Sequence, residues 1–146
     1  MQNPRKFLKV YSIFILILSV FTLTSIVVEL WFGELNEAQI PEGSPENVLL
    51  IARIIILSIS ALLLLPQFYV GIKGLKIAKN PTPARAHIFW GIIIFVFTIL
   101  GVIEPISILV KQGFSYRNLS SVFNIAIEAF IFFDYVRYAR AVADSV

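Results

Sequence analysis

Four long apolar stretches separated by short polar segments organise the chain, each near the roughly 20 residues that a helix needs to cross a bilayer. The first covers 7–32, with no charged residue over 10–28. The second covers 48–72 and is free of charge from Ile54 onward, the third covers 88–110, and the fourth covers 119–141. Hydrocarbon offers the backbone no hydrogen-bonding partner, so spanning segments are helices or closed barrels, and unbroken apolar runs favour helices over the alternating barrel pattern. The expected fold class is all-α: a polytopic membrane protein of four transmembrane helices in an up-down bundle, with 1–146 as a single membrane domain. A basic start precedes the first run as in a secretory signal. The run is too long for one and no small-residue cleavage site follows, so the span is expected to be retained.

Polar and helix-breaking residues punctuate these runs. Trp31 and Phe32 mark an interface, and 33–47 reads as a polar loop carrying Glu34, Glu37, Glu42 and Glu46 with Pro41 and Pro45. Pro66 lies inside the second span and predicts a kink. Beyond it, Lys73, Lys76 and Lys79 recur at helical spacing, so the helix continues past the apolar layer with one cationic face until Asn80-Pro81-Thr82-Pro83 ends it. Trp90 sits near the start of the third span, and Glu104-Pro105 interrupts it late. The fourth span, with Ser120, Ser121, Asn124, Glu128 and Asp134, is too polar to face lipid all round.

Composition agrees with lipid as the solvent. Of 146 residues, 58% are hydrophobic and only 14% charged, and mean hydropathy is +0.87. The absence of cysteine removes thiolate nucleophiles, disulfide exchange and thiolate-held metals, and with them the quinone-linked thiol oxidoreductases of similar size. The net charge of +3 comes from basic residues beside apolar spans, which points to orientation and not to nucleic acid. Nine of the twelve (Arg5, Lys6, Lys9, Lys73, Lys76, Lys79, Arg85, Arg137 and Arg140) fall on one side of the bilayer. Arg53, Lys111 and Arg117 fall on the other. The positive-inside rule places both termini in the cytoplasm and the acidic first loop outside. Both hairpins then run in-out-in, and Val20-Phe21-Thr22 leading to Glu29 loosely echoes Val96-Phe97-Thr98 leading to Glu104, as an internal duplication would.

Few residues carry chemistry. Glu128 falls near the bilayer midplane, where a carboxyl group must be protonated or meet a polar partner. Asn124 and Ser121 lie four and seven residues before it on the same helical face, and Ser19, Thr22 and Thr98 are partner candidates on other spans. This candidate intramembrane polar site of Glu128, Asn124 and Ser121 serves either as a protonatable site for proton coupling or cation binding, or as interhelical glue. Arg53 and Glu104 sit at equal depth and form a candidate structural ion pair, with Glu29 as a competitor and snorkelling of Arg53 as the alternative. Lys73, Lys76 and Lys79 are candidate contacts for anionic lipid headgroups. His87, the only histidine, reads as a boundary residue without the companions a metal site requires, so no metal and no cofactor are expected.

The stretch Val70-Gly71-Ile72-Lys73-Gly74 with Lys76, Asn80-Pro81, Ala84 to Ala86 and Trp90-Gly91-Ile92-Ile93 resembles small uncharacterised four-span membrane proteins of Gram-positive gut bacteria. In those, a short basic, proline-containing loop joins spans two and three. The resemblance implies a bacterial plasma-membrane setting and brings no activity with it. Small multidrug exporters share the span count but carry their essential carboxylate in span one, which has no central carboxylate here. Four-span fluoride channels have glycine-rich signatures that are missing. No phosphate-binding loop, nucleophile elbow or metalloprotease helix is present, so no enzymatic activity is expected. The sequence reading is a non-enzymatic structural or accessory membrane protein, a homo-oligomer or the partner of another membrane protein. The alternative is a small ion or solute transporter or channel that uses the polar face around Glu128.

Overall fold

The computed structural model describes residues 3–32 and 47–146, with Arg117 by its backbone alone. Five helical segments, α1 (Pro4–Phe32), α2 (Asn47–Lys79), α3 (Ala86–Gly101), α4 (Ile103–Gln112) and α5 (Tyr116–Ala143), make four helices long and apolar enough to cross a membrane, since α3 and α4 together form Ala86–Gln112. The polar loop expected over 33–47 lies outside the described residues except for Asn47, which opens α2.

Local chemistry sets the ends of these helices. Pro4 occupies the first position of α1, where its missing N–H costs nothing, and the Asn3 side chain accepts from the Arg5 N–H at 3.1 Å as an N-cap. Ser115 caps α5 in the same way, accepting from the Asn118 N–H at 3.2 Å. Helix α2 stops before Pro81, which disfavours helical geometry in the residue ahead of it. Helix α4 ends at Gly113, whose φ of +82° only glycine adopts without strain and whose N–H closes back onto the Leu109 carbonyl. The interruption expected at Glu104-Pro105 appears one turn earlier, at Val102. Pro105 has no N–H to offer the Gly101 carbonyl four residues before it, and its ring crowds that carbonyl. Glu104 therefore stands in the first turn of a separate helix, whereas Glu29 lies inside an unbroken α1. α2 continues through Pro66 as one helix.

The chain divides into two compact units. The unit formed by 1–16 and 66–146 holds the denser packing. Its buried stripes recur at helical spacing: Leu8, Ser12 and Ile15 on α1; Val70, Gly74 and Ile77 on α2; His87, Gly91 and Ile94 on α3; and Phe132, Tyr135, Ala139 and Val142 on α5. α3 packs along α5, and α4 also lies against α5. Most other apolar side chains of this unit, such as Phe89, Phe97 and Phe130, are exposed, as expected where lipid is the solvent. The unit 17–65 comprises the rest of α1 and the first part of α2. Among its described residues Ser19, Leu30 and Leu64 are buried, while Phe21, Leu62 and Leu63 are largely exposed. Thr24 and Ser58 donate to the carbonyls of Val20 and Ile54, four residues back, so neither hydroxyl is left unpaired.

Candidate intramembrane polar site

Within the denser unit, glycine sets how closely the helices approach. A Cβ placed on Gly74 would overlap Ser12 Oγ and lie 2.6 Å from the Tyr135 ring, and one on Gly71 would lie 2.7 Å from the Leu16 side chain. Gly91 faces the same tyrosine from α3. This is the small-residue packing that lets helices associate where lipid removes the hydrophobic drive between them. Tyr135 is fully buried, and its hydroxyl donates to the Val70 carbonyl at 3.0 Å. The Ser12 hydroxyl, also buried, donates to the Leu8 carbonyl at 2.7 Å.

Next to this packed seam is a polar contact between α1 and α5. The Tyr11 hydroxyl donates to Asp134 Oδ2 at 2.6 Å, and Asp134 is only 7% exposed. Tyr138 stacks on both Phe7 and Tyr11, with ring centroids 5.0 and 5.7 Å away, and the Arg137 guanidinium lies 5.7 Å from its ring centroid. His87, read from sequence as a boundary residue, is 1% exposed. Its ring meets Tyr135 edge-on at 6.1 Å, and its Nε2 is buried without a hydrogen-bond partner.

The three residues singled out from sequence around Glu128 are placed differently from one another. Glu128 is half-buried and accepts from Gln67 Nε2 on α2 at 3.5 Å, a long hydrogen bond. Ser121 is half-buried and partnered. Asn124, on the same helix, is exposed and its side chain makes no hydrogen bond among the described residues. Of the expected partner candidates, Thr98 donates within its own helix to Ile94 at 2.9 Å, and Ser19 and Thr22 belong to the other unit. Gln67 was not foreseen, although a lone amide between Pro66 and Phe68 in an apolar run is itself a signal that a polar partner lies opposite.

Arg53 and Glu104 belong to different units, and each is described where it stands. Arg53 is half-buried, with its Nε buried and unpartnered. Glu104 is exposed and lines a cleft of about 700 Å³ with Gly101, Ser107, Lys111 and Gln112. Lys73, Lys76 and Lys79 line a second cleft, of about 460 Å³, at the end of α2. No family model, curated protein or solved structure matches the chain.

Proposed function

We propose that the chain is a multi-pass protein of the bacterial plasma membrane, with both termini cytoplasmic, that has a non-enzymatic structural or accessory role and associates laterally with a second copy of itself. The setting rests on the sequence resemblance and the orientation on the nine-to-three distribution of basic residues. The observation that carries the role is the contrast along α5. The carboxyl group of Glu128 is engaged by Gln67 of α2, whereas Asn124, one turn away, presents its amide outward.

Asn124 lies about 9 Å from the centre of the fourth span, inside a hydrocarbon layer about 30 Å thick. An amide there gains from meeting another polar group, and an amide both donates and accepts, so two copies related by a twofold axis satisfy each other. Glu128 in this reading is interhelical glue.

The natural absence of cysteine allows a direct test. Asn124→Cys in native membranes is expected to form an intermolecular disulfide on mild oxidation, and Asn124→Leu is expected to weaken self-association by about 1 kcal/mol, roughly fivefold. Rapid modification of Asn124→Cys by a membrane-impermeant thiol reagent, without crosslinking, would instead put water along α5 and support the transport alternative. Glu128→Gln, which keeps an amide pair with Gln67, is expected to leave folding and oligomeric state close to wild type. Loss of an ion or solute flux in that variant would contradict the accessory role.

A further inference from the structure

The uncharged part of α2, 54–72, is bracketed by Arg53 and Lys73. Nineteen helical residues rise about 28 Å, which matches the hydrocarbon thickness. Lys73 therefore stands at the boundary of the apolar layer, and Lys76 and Lys79 lie about 4.5 and 9 Å farther out along the helix, at the depth of phospholipid headgroups. All three are exposed.

They line a cleft of about 460 Å³ with Ile77, Asn80, Thr82 and Ala84. Three ammonium groups, an amide and a hydroxyl surround it, and no carboxylate does. The one ion pair among the described residues is Arg85–Asp144 at 2.9 Å, and none of the three lysines is paired with a carboxylate of the described residues. A need for orientation alone would be met by charge anywhere on this loop. Here the charge is gathered around a concavity, and a buried apolar residue, Ile77, forms part of its wall.

We propose that Lys73, Lys76, Lys79, Asn80 and Thr82 form a binding site for the phosphate-bearing headgroup of an anionic phospholipid. The ammonium groups supply charge, Asn80 and Thr82 supply neutral donors for phosphate or glycerol oxygens, and the acyl chains extend along the apolar surface of the helix. The site requires the membrane-embedded reading but not self-association, so Asn124→Leu binds lipid as wild type does.

The test is a binding titration of the full chain in neutral detergent with phosphatidylglycerol, phosphatidylcholine and soluble glycerol 3-phosphate. Phosphatidylglycerol is expected to bind at least about tenfold more tightly than phosphatidylcholine, with glycerol 3-phosphate failing to compete at equal concentration. The Lys73→Gln/Lys76→Gln/Lys79→Gln variant is expected to lose that preference, each lysine accounting for about fivefold. The charge-matched Arg5→Gln/Lys6→Gln/Lys9→Gln variant is expected to change it less than about threefold. Lys76→Gln alone, with about a fivefold loss, keeps the test decisive should the triple glutamine variant fold poorly. An unchanged preference in the lysine variants, or an equal loss in the amino-terminal control, would overturn the site. Equal competition by glycerol 3-phosphate would overturn the lipid as its ligand.

Discussion

Gly74→Ala is expected to destabilise the folded protein by about 3 kcal/mol, the upper end of the cost of overpacking, and Gly74→Leu to prevent native packing of the seam altogether. The added Cβ would fall on Ser12 Oγ, 2.6 Å from Tyr135 Cε2 and 2.9 Å from its hydroxyl. Neither neighbour yields easily. Tyr135 is fully buried and tied to the Val70 carbonyl, and Ser12 is fully buried and tied to the Leu8 carbonyl. Relief therefore requires α1 or α5 to move away from α2, which gives up dispersion contacts along the seam. Reversible unfolding in mixed micelles measures the loss. Gly101→Ala is the matched control: beyond its own turn of helix no atom lies within 4 Å of its added Cβ, so the change is expected to be neutral or stabilising by up to about 1 kcal/mol through helix propensity. Ser12→Gly in the Gly74→Ala background removes the nearest overlap and should recover part of the loss, with the Tyr135 contact left as the remainder. A Gly74→Ala protein within about 0.5 kcal/mol of wild type would show that the helices are not held at this distance.

The features legible in the sequence are those governed by lipid and by the backbone. Apolar runs of span length became four helices long and apolar enough to cross a membrane, the outcome expected where an unpaired peptide group in hydrocarbon costs several kcal/mol. Pro81 and Pro105 marked helix ends through sterics and missing N–H groups, which act within one turn. The seam was not legible for the opposite reason. Gly71, Gly74 and Gly91 stand in the stretch that carries the resemblance, but their packing role appears only when Ser12, Leu16, Tyr135 and Val136 are brought against them from other helices, and no local rule says which helix will face which.

His87 shows what a rule of depth leaves open. Its position at the start of a span reads as a boundary residue, and the structure adds that the residue is buried, with its ring edge-on to Tyr135. Depth along the membrane normal and burial by protein are separate coordinates, and hydropathy reports only the first. The polar face of α5 was legible in part for the same reason. Helical periodicity put Ser121, Asn124 and Glu128 on one face, but only the packing separates a Glu128 engaged by Gln67 from an outward Asn124.

Tyr11→Phe is expected to destabilise the protein by about 2 kcal/mol, and Asp134→Leu by a similar amount, while the double variant should lose less than the sum of the two. The hydroxyl of Tyr11 reaches Asp134 Oδ2 at 2.6 Å, with the aspartate side chain almost wholly enclosed. Removing the donor leaves a buried carboxyl group short of a partner, and removing the acceptor leaves a half-buried phenol in the same position. In each single variant the larger part of the cost is the unsatisfied group, not the lost bond. With both polar groups gone, that penalty disappears and apolar contacts replace it, so a coupling energy of about 1–2 kcal/mol is expected from a double-mutant cycle in mixed micelles. Asp134→Asn, which keeps an acceptor, should fall between wild type and Asp134→Leu. Strict additivity within about 0.5 kcal/mol would mean that the two side chains do not act on each other in the folded protein. The stacking of Tyr138 on Phe7 and Tyr11 would then be left as the contact joining α1 to α5 at this end. Coupling of the expected size would instead make the hydrogen bond the feature that fixes the register of α1 on α5, because aromatic stacking tolerates sliding by an ångström and a 2.6 Å bond does not.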